Sequence, residues 1–401
     1  MKSAQALYVN KVAMKTKLTK KTGRWLQYGI VSALAVALLA GCAAMPSPEQ
    51  QAEGTSFYPP LPHPPRIQHL KTLAGERDLG VPASEFAKYV LGDENRTQQL
   101  MQPYGVGLYG GKLYVVDTGA PGLAVFDLVQ QRFEMMNGAP SGRMKRPINI
   151  TIDDDGTKYV TDTGRDQVLV FDRSDRFVQA YGSQGQFKPV DTAIAGDRLY
   201  VTDIQHHQVQ VLDKHTGKLL FKFGSAGSKL GELFHPTNIA IGADGDVYVV
   251  ETSNFRVQQF TAEGKPVRMY GDIGTESGTF SRPKGIALDR NGRIYVGDAA
   301  FQNVQIFDSE GRLLLFFGQP GGGVEGLNLP TGIKVDYDNV KYFQSYADPN
   351  FKIDYLIFVV SQFGPNKVDV FGYGKMNGMD YAADEAEAAR SLAKPAVKSE
   401  R

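Results

Sequence analysis

Cysteine is all but absent from this chain. Cys42 stands alone among 401 residues, so no intramolecular disulfide is available to hold the fold. Tryptophan also occurs once. The apolar run at 29–40 covers only twelve residues, short of the roughly 20 that a membrane-spanning helix needs. Charge of one sign is missing as well, with a formal balance of +1. That balance hides a basic head: residues 1–41 carry seven Lys or Arg and no acid, leaving 37 bases against 43 acids in the remainder. A mildly acidic body argues against a general nucleic-acid binder, which needs a net basic field. Several chemistries lack their signatures. There is no G-x-S-x-G, no H-E-x-x-H and no phosphate loop. There is also no C-x-x-C-H for covalent haem, and the acidic run 152–156 lacks the spacing of an EF-hand loop.

What is present begins with that basic head. The twelve-residue apolar run follows it and ends at Leu39-Ala40-Gly41-Cys42, which fits a secretory signal and resembles a bacterial lipobox. Residues 1–41 are therefore expected to be a signal peptide, with translation starting at Met1 or Met14. Cys42 becomes the lipid-bearing first residue of the mature protein. Two or more acyl chains, at about 0.8 kcal/mol per buried methylene, make a stable anchor. Ala43 after the cysteine implies, by this resemblance, the outer membrane. The stretch AAMPSPEQQAEGTSFYPPLPHPP then holds seven prolines. Residues 42–64 read as an extended, semi-rigid tether.

From residue 65 the chain repeats itself. An aromatic, a valine, any residue and a polar residue recur as LYVVD, KYVTD, LYVTD, VYVVE, IYVGD and IFVVS, ending at Asp117, Asp162, Asp203, Glu251, Asp298 and Ser361. Most intervals are 41–48 residues, and one is longer. Such a period marks a solenoid or propeller. Each phrase is preceded by a short β-patterned run and followed by two more. Pairs such as Asp155-Gly156, Asp244-Gly245 and Asn291-Gly292 supply the tight turns between them. Units of four short strands read as propeller blades, and proline opens each one: Pro103, Pro147, Pro189, Pro236, Pro283 and Pro330. The unit RPKGIALDRNGRIYVGDAAFQNVQIFDSEGRLLLFFG resembles the NHL repeat, and the resemblance covers roughly residues 66–378. The expectation is an all-β, six-bladed propeller over 65–378, monomeric, with a tail at 379–401 that is solvated or forms one short helix. The last unit lacks a fourth strand. RIQHLKTLAG, at 66–75, resembles one and is expected to complete the sixth sheet beside 367–372, because an open ring would expose unpaired strand edges.

In a propeller the links between blades share a face with the turns after each second strand, and by family resemblance that face usually binds. It receives Arg143, Lys145, Arg146, Arg165, Lys188, His206, His207, His235, Arg256, Arg282 and Lys284, with Phe234, Phe255, Phe280 and Phe301 nearby in sequence. Such a rim suits an acidic protein surface or an anionic glycan, or else it balances the repeated acids. Those acids, Asp117, Asp162, Asp203, Glu251 and Asp298, are expected to accept turn amides rather than to hold a metal. His206, His207 and His235 fall in one sector and do not span the ring as a three-ligand zinc site would require. An insertion at 337–354 carries Tyr342, Phe343, Tyr346 and Phe351, which either cover the blade or offer a partner loop. No cofactor beyond the lipid is expected. The expected role is a non-catalytic binding scaffold at the bacterial envelope; the alternative is a metal-dependent hydrolase or lyase with its site in the central channel.

Overall fold

A computed structural model describes residues 56–79 and 98–382. The signal segment, Cys42, most of the expected tether and nearly all of the tail lie outside these residues. The repeat phrase is in each case the second strand of a four-stranded antiparallel sheet. Blade I comprises Pro103–Tyr109, Lys112–Asp117, Gly122–Asp127 and Arg132–Met136. Blade II comprises Pro147–Ile152, Lys158–Asp162, Gln167–Phe171 and Phe177–Tyr181. Blade III comprises Pro189–Ala195, Arg198–Asp203, Gln208–Asp213 and Leu219–Phe223. Blade IV comprises Pro236–Ile241, Val247–Glu251, Arg256–Phe260 and Pro266–Tyr270. Blade V comprises Pro283–Leu288, Ile294–Asp298, Asn303–Phe307 and Leu313–Phe317. Blade VI takes Pro330–Asp336, Phe351–Ser361 and Val368–Met376 from the end of the chain and Ile67–Leu73 from its beginning.

The closure is antiparallel, with Ile67 opposite Tyr373 and Leu73 opposite Val368. The structure adds one element to the expectation. Phe57–Tyr58, inside the segment read as tether, forms a short fifth strand on Ile67–Leu73. Phe57 is buried against Phe351, and Tyr58 packs on Phe317 of blade V. Tyr381, at the start of the expected tail, is also buried; its hydroxyl donates to the Pro65 carbonyl at 2.7 Å.

Packing is organised around seams, not a centre. Six hydrophobic clusters occupy the six interfaces between neighbouring blades. The repeat aromatic explains why one phrase recurs. Its ring fills a seam, contributing about 1.5–3 kcal/mol by burial. Its hydroxyl then reaches the next blade: Tyr114 donates to Asp175 at 3.3 Å, Tyr159 to the Lys214 carbonyl at 3.0 Å and Tyr200 to the Ala262 carbonyl at 2.9 Å. Tyr295 meets Tyr355 of blade VI at 2.6 Å. Blade VI places Phe358 there instead, and its ring packs on Phe343 of the insertion.

That contact settles what the insertion does. Phe343 and Phe351 are buried in the seam between blades VI and I, and Tyr342 packs against the same cluster. Only Tyr346 is exposed, with Lys71 donating to its hydroxyl at 2.6 Å. The buried rings of Phe343 and Phe351 cover the seam and are not available to a partner, whereas Tyr342 is half-buried beside them.

Candidate functional site

Every first strand starts the same way. Its proline pairs with the last residue of the repeat phrase, as Pro147 does with Asp162, and the register then shifts before Ile150 pairs with Val160. The same shift occurs at Pro103, Pro189, Pro236, Pro283 and Pro330. Proline is tolerated there because it opens the strand, and the bulge bends the strand toward the channel mouth. The residue before each proline therefore ends an inter-blade link at the rim of that mouth. These residues are Gln102, Arg146, Lys188, His235, Arg282 and Leu329, so blades II to V present an unbroken basic or imidazole arc.

The repeated acids hold that arc in place. Asp162 accepts the Lys145 and Arg146 amides at 2.7 and 3.0 Å from the link, and the Gly164 and Arg165 amides at 2.9 and 3.1 Å from the turn. Asp117 and Asp298 bind the corresponding four amides. Asp203 takes the Lys188 amide, His206, Gln208 and Gln210. Burial opposes its ionisation, but these donors together hold its carboxyl below the usual range. Ser361 does the same work in blade VI by accepting the Asn328 amide at 3.1 Å. All these acids are buried and spent on staples between link and turn.

The expected binding residues divide into two groups. Arg146 and Arg282 are exposed and Lys188 is half-buried; the side chains of all three carry no hydrogen bond or ion pair among the described residues. Arg143 and Lys145 extend the patch. The others are committed within the fold. Arg256 does not face solvent: its guanidinium is buried on Glu251 at 2.7 Å and on the Ser228, Lys229 and Glu232 carbonyls. Arg165 is tied to Gln167 and to the Arg143 and Ser141 carbonyls. His206 pairs with Asp203 at 2.7 Å. His207 accepts the His235 amide on Nδ1 at 3.0 Å and stacks on the exposed Phe234, while His235 Nδ1 meets Ser253 at 3.0 Å. Burial, with His235 nearby, holds the His207 imidazole below its usual range. No group of three or more metal-binding side chains occurs among the described residues. Exposed apolar side chains interleave with the bases on this face: Met101, Leu230, Phe234, Ile273, Val324 and Phe363.

Behind the mouth, Tyr104 of blade I lies buried in the channel, and Lys284 of blade V donates to its hydroxyl at 3.4 Å. Burial lowers the Lys284 amine to about 8, with Arg282 adding to the effect. Beyond this pair the six first strands line a cavity of about 390 Å³ that runs toward the opposite face. Its wall includes Asn149, Asp191, Asn238 and Lys334. Sequence reasoning passed over these four. The available signal was departure from the repeat: blades V and VI read Pro-x-Gly-Ile there, whereas blades II to IV put Asn149, Asp191 and Asn238 in place of the glycine.

No protein-family model matches the chain. It is 33% identical over 89 residues to protein brain tumor of Drosophila melanogaster, which is 21% of this chain and 8% of that protein. Among solved structures, a protein of unknown function from Bacteroides thetaiotaomicron superposes with a TM-score of 0.53 at 13% identity, covering 77% of this chain and 75% of that one. An auxiliary nutrient binding protein from Bacteroides ovatus gives 0.50 at 14%, over 68% and 69%. A streptogramin B lyase gives 0.49 at 15%, over 67% and 78%. At these identities the likeness is one of fold.

Proposed function

We propose that this protein is a lipid-anchored, non-catalytic binding scaffold of the bacterial envelope, whose link face takes an acidic protein surface or an anionic glycan. The NHL-like repeat and the lipobox at Cys42 supply the frame for this reading. The observation that carries it is the arc of Arg146, Lys188 and Arg282 at the channel mouth. Three basic side chains without partners among the described residues, mounted on links stapled by Asp162, Asp203 and Asp298, form a preorganised cationic surface. The apolar residues among them offer the desolvated contacts that turn electrostatic attraction into affinity. A binding nutrient protein among the structural neighbours is compatible with a scaffold role.

Immobilised polygalacturonate and a poly-glutamate peptide, beside neutral dextran, test the reading. Retention on either polyanion, falling with salt and abolished by the triple variant Arg146→Glu, Lys188→Glu, Arg282→Glu, is the expected result. Equal behaviour of the native chain and the triple variant on all three matrices overturns it. The anchor is checked separately by fractionation of the native chain and Cys42→Ala, with only the former expected in the membrane.

A further inference from the structure

The channel cavity is chemically independent of the link face. Three close backbone approaches narrow it at the third residue of the first strands. A Cβ added to Gly105, Gly285 or Gly332 would lie 2.6 Å from Asn149 Cα, 2.2 Å from the Thr331 carbonyl or 2.5 Å from the Tyr104 carbonyl, respectively. With Tyr104 and Lys284 seated one residue nearer the link face, access is from the opposite end. There Asp153, Asp154, Gly196 and Lys214 form the rim.

The repeat keeps small residues at the two positions that look into this space, so departures from it are informative. At the third residue, blades I, V and VI have glycine, while blades II, III and IV carry Asn149, Asp191 and Asn238 in succession. At the fifth, blades I, III, IV and V have glycine or alanine, while blade VI carries Lys334. Lys334 thus stands across the ring from the polar arc. It is exposed, lines the cavity, and makes no hydrogen bond or ion pair among the described residues. Enclosure by protein holds its amine below the usual range. In the arc, Asp191 accepts the Thr192 and Ile239 amides at 2.8 and 3.1 Å and the Asn238 side-chain amide at 3.3 Å. That leaves Asn238 Oδ1 buried with no hydrogen-bond partner among the described residues. Burial pushes the Asp191 carboxyl up to about 7, against those hydrogen bonds.

We propose that this half of the channel is a binding site for a small zwitterion of the amino-acid type, its carboxylate on Lys334 and its ammonium on Asp191 and Asn238 Oδ1. The charge inventory selects a zwitterion. Lys214 is neutralised by Asp153 at 2.8 Å, so among the described residues Lys334 is the cation of the wall without an ion pair. A simple anion placed on it would also face Asp336, Asp191 and Asp154, and a simple cation on Asp191 would meet the Lys334 ammonium across the channel. A ligand with both charges answers both ends. A cavity of about 390 Å³ lies within the roughly 300–1,000 Å³ of small-molecule sites and leaves room for a side chain.

Isothermal titration of the purified chain with glycine, L-alanine, D-alanine and L-glutamate, with acetate, methylamine and glycerol as matched fragments, tests the proposal. At least one amino acid is expected to bind at millimolar affinity or better, with the three fragments at least about tenfold weaker. Lys334→Met is expected to weaken it about tenfold or more while the polyanion binding of the link face is unchanged. Asp191→Asn, which retains an acceptor for the Thr192 amide, is expected to do the same, with thermal unfolding confirming that it is folded. Absence of heat with every amino acid at 10 mM overturns the proposal, as does equal binding by native chain and Lys334→Met. Neither result bears on the link face, because the two sites open on opposite sides of the ring.

Discussion

His69 and Asp369, three hundred residues apart in sequence, meet at 3.2 Å inside the sixth blade. Thr72 donates to the same Asp369 oxygen at 2.6 Å, so the closing strand is fastened to the third strand of the blade by side chains as well as by its ladder. The other carboxylate oxygen is buried with no hydrogen-bond partner among the described residues, and the Tyr58 hydroxyl and Glu325 face each other nearby. Blades IV and V place a neutral amide at this position: Gln258 and Gln305 accept the Gly231 and Gly278 amides of their links. Blade VI has exchanged that amide for two acids.

A pH dependence follows. Burial raises the Asp369 carboxyl above its ordinary value, with Glu325 adding to the shift and His69 and Thr72 opposing it. The folded chain therefore holds a proton on Asp369 over a range in which the unfolded chain has released it. Stability from this group is complete below the unfolded value of about 4 and is lost as pH rises toward the folded value. His69, Tyr58 and Glu325 are the other titratable groups facing it. Asp369→Asn, a mimic of the protonated acid, should show a shallower fall in melting temperature with rising pH than the native chain. Hydrogen exchange should place the difference in 57–73. Parallel pH profiles for the two chains would rule this out.

The repeat tyrosines carry a second expectation. Tyr200 is 0% exposed, and its hydroxyl donates to the Ala262 carbonyl. Tyr200→Phe keeps the ring and loses one hydrogen bond, costing about 1 kcal/mol. Tyr200→Ala empties the seam between blades III and IV and costs about 3–5 kcal/mol. Urea unfolding resolves the two, and similar costs would mean that the seam depends on the bond and not on the ring.

Much of this fold was legible because a propeller writes its physics once per blade. The aromatic and the proline, six times each, and the terminal acid, five times with Ser361 in the sixth place, each answer one local demand, and the repetition reveals it. The closing strand was legible for the same reason, since 66–75 resembles the fourth strands of its neighbours. What the sequence hid lay where blades differ or where identical residue types do different work. Arg256 and Arg282 look equivalent in a list of basic residues, yet Glu251 and three carbonyls bury the first, while the second is exposed and its side chain has no hydrogen bond or ion pair among the described residues. Lys334 passed unnoticed because a single lysine in a β-patterned strand gives no sign that its strand lines a channel. The fifth strand, Phe57–Tyr58, was hidden by prolines at 59 and 60 that suggested a tether.

The insertion of blade VI offers a contrast within one loop. Phe343 is 2% exposed and packs edge-on against Phe358, whereas Tyr346 is 44% exposed, lies at the edge of Phe343 with ring centroids 6.3 Å apart, and carries Lys71 over its ring. Phe343→Ala should cost about 3–5 kcal/mol by opening a cavity. Tyr346→Ala should cost about 0.5–1 kcal/mol, the worth of an exposed cation–π contact. Thermal unfolding checks both, and near-equal losses would contradict a covering role.

The seam between blades I and II is held by a buried charge, and its two partners should not be equivalent. Lys158 is 0% exposed and meets Asp175 at 2.8 Å, while Asp175 keeps 18% of its side chain in solvent and also faces Lys112 at 3.7 Å. The Lys158 ammonium has two further acceptors, the Gly156 and Asp172 carbonyls at 3.1 Å each, and lies over the Tyr114 ring at 5.0 Å. Removing the acid strands a cation with no route to water. Removing the cation leaves an acid that still has solvent, Lys112 and the Tyr114 hydroxyl. Breaking a buried pair costs about 3–5 kcal/mol when the remaining charge is trapped, whereas an apolar replacement of similar volume is often close to neutral. Asp175→Ala should therefore lie near about 3 kcal/mol, and Lys158→Met near about 1 kcal/mol because the two carbonyls lose a donor. Urea unfolding of the two single variants and the double variant gives the coupling directly. A larger loss for Lys158→Met than for Asp175→Ala would show that the ammonium is the stabilising member of the pair and that its burial is already compensated by the carbonyls.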